Sequence, residues 1–196
     1  MRWKSAYGRL AARVVKGVAK LNPAPERELT AGERSLVEPI FRTSLDLSKI
    51  RIREDVSGLL NVSKRAFAIE ETVYFPRGYS PIPPHVFVHE LCHVWQFQNG
   101  GHAYIADAVH AQTFGDGYDI EKGLLEGREW AALNAEQQAT LVEEAFSQGC
   151  IANDSKRLVI SGRDWTDYWR TALAELRAGR GATFSLSLRQ RGEGLG

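Results

Sequence analysis

The chain has 196 residues, of which 43% are apolar and 25% charged, the composition of one globular domain long enough to bury a core. No run reaches the roughly 18 apolar residues of a membrane span, two cysteines cannot build a disulfide framework or a four-cysteine zinc site, and no internal repeat points to a solenoid. The net charge of +1 is unevenly spread: residues 1–20 hold six basic and no acidic residues, whereas 21–179 hold 16 basic against 23 acidic ones, so the body lacks the basic face that nucleic acid requires.

Residues 1–22 read as a basic amphipathic helix. Trp3, Tyr7, Leu10, Val14, Val18 and Leu21 recur at three- and four-residue steps, with Arg9, Arg13, Lys16 and Lys20 on another face. Such a helix either packs its apolar stripe on the domain with its basic face solvated, or serves as a docking or membrane-surface arm. Arg13 and Lys16 interrupt any signal-peptide core, so synthesis in the cytoplasm without a signal peptide is expected.

Asn22-Pro23-Ala24-Pro25 breaks the chain, and Thr30-Ala31-Gly32-Glu33 has capping-box spacing, predicting a helix to about Phe41. Ile50-Arg51-Ile52 alternates as a strand does, and Ala66 to Phe75 is rich in β-formers, so a small sheet is expected here. Pro83-Pro84 suits a helix start, and the next helix is expected from about His85 to Gln98, stopping at Gly100-Gly101. A helix over 102–113 follows, then a loop holding Gly115, Gly117, Gly123 and Gly127. Asn134 with Gln137 marks a helix reaching Ser147, and Asp164 caps a last helix with Trp165, Trp169, Leu173 and Leu176 on one face. The fold class is therefore α+β, a mostly helical domain over 23–179 with a small β-sheet ahead of the His85–Gln98 helix. Residues 180–196 are expected to form a flexible tail.

The chemistry concentrates in Val86-Phe87-Val88-His89-Glu90-Leu91-Cys92-His93-Val94-Trp95-Gln96, which contains His-Glu-x-x-His. On a helix, His89 and His93 lie one turn apart on one face, where both imidazoles reach one Zn²⁺. Glu90 sits beside the metal without ligating it and is placed to act as general base in peptide hydrolysis. The apolar flanks argue for a buried helix, where unpaired histidine and glutamate would be costly. Histidines satisfied by hydrogen bonds are the plainer alternative.

Catalytic zinc takes three protein ligands, and the third is not adjacent. The metzincin continuation would need Gly at position 96 and His at 99, where Gln96 and Asn99 stand. Asp116 and Asp119 do not match the spacing of aspartate-ligand proteases. Glu136, 43 residues after His93, opens a later helix, and Glu143 two turns on competes with it. A first-turn glutamate is also favoured by the helix dipole alone. Cys92 reads as a small buried hydrophobe, and nothing supports its pairing with Cys150.

His89 to Gln96, followed by Glu136-Gln137-Gln138-Ala139, resembles the zinc metallopeptidase domains of VgrG-class type VI secretion spike proteins and their free-standing VgrG- and Rhs-associated relatives. The match runs from about Leu45 to Phe146. The resemblance implies a zincin-like domain of gluzincin type, one Zn²⁺ held by His89, His93 and Glu136, and Glu90 as catalytic base. It also implies an antibacterial effector acting in the target-cell periplasm. No spike domain accompanies the match, so delivery as cargo is expected, with the N-terminal helix as the arm that meets a spike protein and with a cognate immunity protein as a further partner. Tyr118 and His110 are the candidate donors to the oxyanion, and the substrate peptide is expected along the edge of the strand ending at Phe75. The competing readings are a zinc hydrolase of peptidoglycan peptides or amides, and a non-catalytic zinc-binding adaptor. The adaptor would close its site with a fourth ligand from His102, His110 or Asp119.

Overall fold

The computed structural model describes residues 9, 10, 12–14, 17, 24–57, 64–114, 117–153 and 155–182, the side chains of 109–114 excepted. Strands β1 (Glu26–Arg27), β2 (Arg51–Val56), β3 (Phe67–Ile69) and β4 (Thr72–Pro76) form a mixed sheet in the order β1-β2-β4-β3. β1 is antiparallel to β2, β2 is parallel to β4, and β3 and β4 form an antiparallel hairpin with Ala68 opposite Val73. The helices are α1 (Ala31–Phe41), α2 (Pro84–Gly100), α3 (Ala103–Phe114), α4 (Ile120–Leu125), α5 (Ala135–Ser147) and α6 (Thr166–Arg177). Together they give the expected α+β arrangement, mostly helical with the small sheet ahead of the motif helix.

Local chemistry explains the helix ends. Thr30 and Glu33 cap α1 reciprocally, and Asn134 and Gln137 do the same for α5. Pro84 occupies the first turn of α2, and Gly101 at φ 70° ends it. The N-cap of α6 is Trp165 and not the expected Asp164, which lies one residue earlier and accepts from both Thr166 N (2.9 Å) and Thr166 Oγ1 (2.5 Å) in an Asx turn.

Helix α2 is the central element. Its stretch from Phe87 to Gln96 is buried without interruption, packed on α5 and on β3 and β4. Phe87, Val88, Leu91, Val94 and Trp95 are each at most 2% exposed, and each contributes roughly 1.5–3 kcal/mol by leaving water. A helix buried all round must satisfy any polar side chain it carries. Cys92 lies in this core, and both Cys92 and Cys150 are free thiols.

The structure departs from expectation in three further places. The glycine-rich stretch contains α4, and Gly123 packs so tightly there that a Cβ would collide with Leu133 and crowd Gln137. A short hairpin, β5 (Val159–Ile160) with β6 (Arg163–Asp164), precedes α6. The strand ending in Phe75 is no edge: β4 is flanked by β2 and β3, so the sheet edge on that side is β3. The described residues of the first segment are helical, with Leu10 and Val14 about 60% exposed and Ala12 buried. The rest of the 1–22 helix lies outside the described residues. So do residues 183–196 of the expected tail, whereas Ala182 is buried.

Candidate metal centre

His89 and His93 project from one face of α2, their rings 5.1 Å apart and edge-on at 78°. Both are buried, with Glu90 beside them. Each ring turns Nδ1 towards a protein acceptor: His89 Nδ1 lies 2.8 Å from Glu143 Oε2, and His93 Nδ1 lies 2.8 Å from Gln96 Oε1. Both Nε2 atoms then point to the same place.

Glu136 meets them there. It stands in the first turn of α5 and is 2% exposed. Its Oε2 lies 3.4 Å from His89 Nε2 and 3.5 Å from His93 Nε2. Capping of α5 is done by other residues, Asn134, Gln137 and the buried Asp107, whose Oδ2 accepts from Ala135 N at 3.0 Å. Glu136 is thus released from the capping role that would otherwise explain a first-turn acid. Glu143, the rival ligand, occupies the far side of the His89 ring. One donor atom from each of His89, His93 and Glu136 falls within 4.8 Å of the others, a set that could hold a metal ion.

The electrostatics of the cluster favour positive charge at its centre. Burial opposes ionisation of Glu136, but the charges of His93 and His89 and their hydrogen bonds prevail and hold its carboxyl well below the usual range. Burial likewise opposes a charged His89, yet hydrogen bonds to Glu136 and Glu143 raise its pKa to about 10. Glu90 differs. Burial pushes its pKa up, only partly offset by the two histidines, and its Oε2 has no hydrogen-bond partner among the described residues. A desolvated carboxylate of this kind is a competent proton acceptor and donor.

A cavity of about 190 Å³ opens over the cluster, walled by Phe67, Ile69, Tyr104 and Ile105 as well as by the ligand set. Tyr118 lines it, half-exposed, with its ring 6.0 Å from that of His89 and the Arg65 guanidinium over the ring, 5.9 Å from its centroid. Burial, then Glu136, raise the Tyr118 pKa to about 12 despite Arg65, so the phenol stays a hydrogen-bond donor at neutral pH. His110 falls in α3, and its side chain lies outside the described residues, as does Asp116. Two of the three fourth-ligand candidates are engaged elsewhere: His102 Nε2 pairs with Glu70 at 2.7 Å, and Asp119 caps α4 through Lys122 N.

Sequence reasoning missed three supporting residues. Gln96 and Asp107 link α2 and α3 to the start of α5. Tyr104 donates to Ala68 O and accepts from Glu70 N, both at 3.1 Å, occupying part of the β3 edge. Gln96 had a local signal, a polar residue one turn after His93 in an apolar run. Asp107 and Tyr104 had none, since their partners are distant in sequence.

Residues 28–101 match the eCIS core domain family, a span that includes His89, Glu90 and His93 and stops short of Glu136. The chain is 29% identical over 158 residues to the type VI secretion system spike protein VgrG2b of Pseudomonas aeruginosa, covering 72% of this chain and 16% of that protein. It therefore spans about a sixth of the length of that relative. A solved structure, the effector domain of Pseudomonas aeruginosa VgrG2b, aligns with a TM-score of 0.47 at 25% identity over 74% of this chain and 88% of the other.

Proposed function

We propose that the chain is a zinc-dependent peptide-bond hydrolase acting as an antibacterial effector of a type VI secretion system. The observation that carries the hydrolase reading is the convergence of His89, His93 and Glu136 donor atoms beside a buried Glu90 whose Oε2 lacks a partner among the described residues. Two imidazoles and one carboxylate are the donor set of a catalytic zinc with an open position, and among the described residues no fourth donor joins them. Zinc bound there supplies a Lewis acid and a water acidified towards a pKa of about 7.

The chain's own residues supply the rest. Glu90 accepts the proton of the attacking water and returns it to the leaving amine. Tyr118 donates its phenolic O–H to the developing oxyanion, with His110 as the second candidate. Glu143 and Gln96 hold the two histidines in the orientation that presents Nε2. The substrate lies against β3, the sheet edge that walls the cavity.

Similarity to a type VI secretion spike protein supports the secretion half of the reading. On it, the protein travels as cargo, acts in the target-cell periplasm and meets a spike protein through its N-terminal helix, and a cognate immunity protein blocks it in the producer. The outward-facing Leu10 and Val14 support a docking role for that helix.

The test is hydrolysis by zinc-loaded protein offered unfolded proteins and, separately, purified peptidoglycan fragments. Cleavage of proteins that a chelator abolishes is expected. Cleavage of the cell-wall fragments alone would move the substrate class to peptidoglycan peptides or amides. Inertness of the loaded protein towards both would leave a non-catalytic zinc-binding adaptor.

A further inference from the structure

The polar side chains buried in the core are not scattered. Gln96 and Gln138 are both 0% exposed, and they form one continuous chain of hydrogen bonds from His93 to the far side of α5. Its direction can be read from its outer end. The carbonyls of Trp130 and Gly181 can only accept. Gln138 Nε2 lies 2.8 Å from the first and 2.9 Å from the second, so both of its hydrogens are committed. Gln138 Oε1 is thereby left facing Gln96 Nε2 at 3.1 Å, as acceptor. Gln96 Nε2 gives its other hydrogen to Ala135 O at 2.9 Å. That leaves Gln96 Oε1 against His93 Nδ1 at 2.8 Å.

An amide oxygen accepts and never donates, so His93 Nδ1 must carry the hydrogen. The lone pair of a neutral His93 then sits on Nε2, the atom facing Glu136. Turning either amide over would set oxygen against carbonyl where no water can intervene. We infer that Gln96 and Gln138 are positioning residues, an amide relay that fixes the His93 tautomer and anchors it to the backbone at Trp130 and Gly181. The purpose of the relay rests on the metal-centre reading; its existence does not.

The anchor is itself clasped. Trp130 Nε1 donates to Arg180 O at 2.9 Å. Gly181, at φ +93°, lies so close to the Trp130 indole that a Cβ would collide with it, and a Cβ on Gly100 would collide with the Ala182 carbonyl. The segment 180–182 is thus a fixed abutment for the metal site. His89 has no such relay: its Nδ1 partner, Glu143, is a single carboxylate 28% exposed.

The experiment compares zinc-loaded wild type, Gln96→Met and Gln138→Met by chelator competition and by long-range proton–nitrogen spectra of the His93 ring. The wild type is expected to show hydrogen on Nδ1 and metal on Nε2. Gln96→Met is expected to bind zinc 10- to 100-fold more weakly, the usual effect of losing a group that orients a ligand. Gln138→Met touches no ligand, and a several-fold loss there, with an unchanged circular dichroism spectrum, is the signature of the relay. Hydrogen on Nε2 in the wild type, or wild-type affinity in Gln138→Met, would overturn the inference. If the wild type takes up no zinc, the metal reading fails by itself. The tautomer is then read in the metal-free protein at a pH where His93 is neutral: hydrogen on Nδ1 upholds the relay, and hydrogen on Nε2 sinks it.

Discussion

Replacing Glu90 by Gln keeps the volume of a buried side chain and removes its capacity to take a proton. Since Glu90 stands beside the donor cluster and outside it, Glu90→Gln is expected to retain zinc and to lose about 10²- to 10⁴-fold in turnover. Elemental analysis beside a peptide-cleavage assay checks both halves; loss of zinc in this variant would reassign Glu90 as a ligand. Glu143→Ala separates a ligand from a ligand's partner. Glu143 bonds the outer nitrogen of His89, so its loss is expected to weaken zinc by about 10- to 100-fold without abolishing the site, as a chelator titration would measure. His89, Glu90 and His93 were legible in the sequence because a helix turns a four-residue spacing into adjacency. By spacing alone Glu136 was one of two glutamates on a later helix, because which carboxylate reaches α2 depends on how two distant helices cross; the resemblance is what singled it out. Gln138, in the same first turns of α5, entered the sequence reading only as part of the Glu136–Ala139 resemblance, with no role attached, and is fully buried.

At the scale of elements, α1 shows how capping and charge combine. The Glu33 carboxylate accepts from Arg27 Nη1 and Nη2 at 2.8 Å each, and from Thr30 N at 2.7 Å. Burial would raise its pKa, but these partners outweigh burial and lower it from 4.5. The folded value therefore lies below the unfolded one. The stabilisation is fully present above the unfolded value and is lost as pH falls through the folded one. Glu33→Gln is expected to cost roughly 1 kcal/mol near neutral pH and to flatten the loss of stability on acidification below about pH 5. Denaturant melts across that range test it; an acid limb of unchanged slope would contradict it. The main helices were legible because caps and apolar periodicity are local. The β5–β6 hairpin was not, since two-residue strands carry no alternation, and α4 was hidden by Gly123, which reads as a loop but serves close packing. The edge strand was misplaced because the parallel β2–β4 pairing is non-local and leaves no mark on either strand.

Across the whole molecule, the candidate site sits where three pieces distant in sequence meet: α2 beside the sheet, the start of α5, and the segment 180–182. A ligand that binds such a junction only when it is assembled stabilises the fold by mass action, roughly 2.7 kcal/mol at a free concentration of one hundred times Kd. Zinc is accordingly expected to raise the melting temperature of the metal-free protein, and a calorimetric scan with and without the ion checks this. Removing Glu136 takes away the one donor that α5 contributes, which makes that helix the decisive element. The most direct measurement is zinc stoichiometry by elemental analysis of purified wild type and Glu136→Ala side by side, after reconstitution. About one zinc in the wild type and clearly less in the variant is the result expected of a three-donor site. No zinc in the wild type, or equal zinc in both, would contradict it.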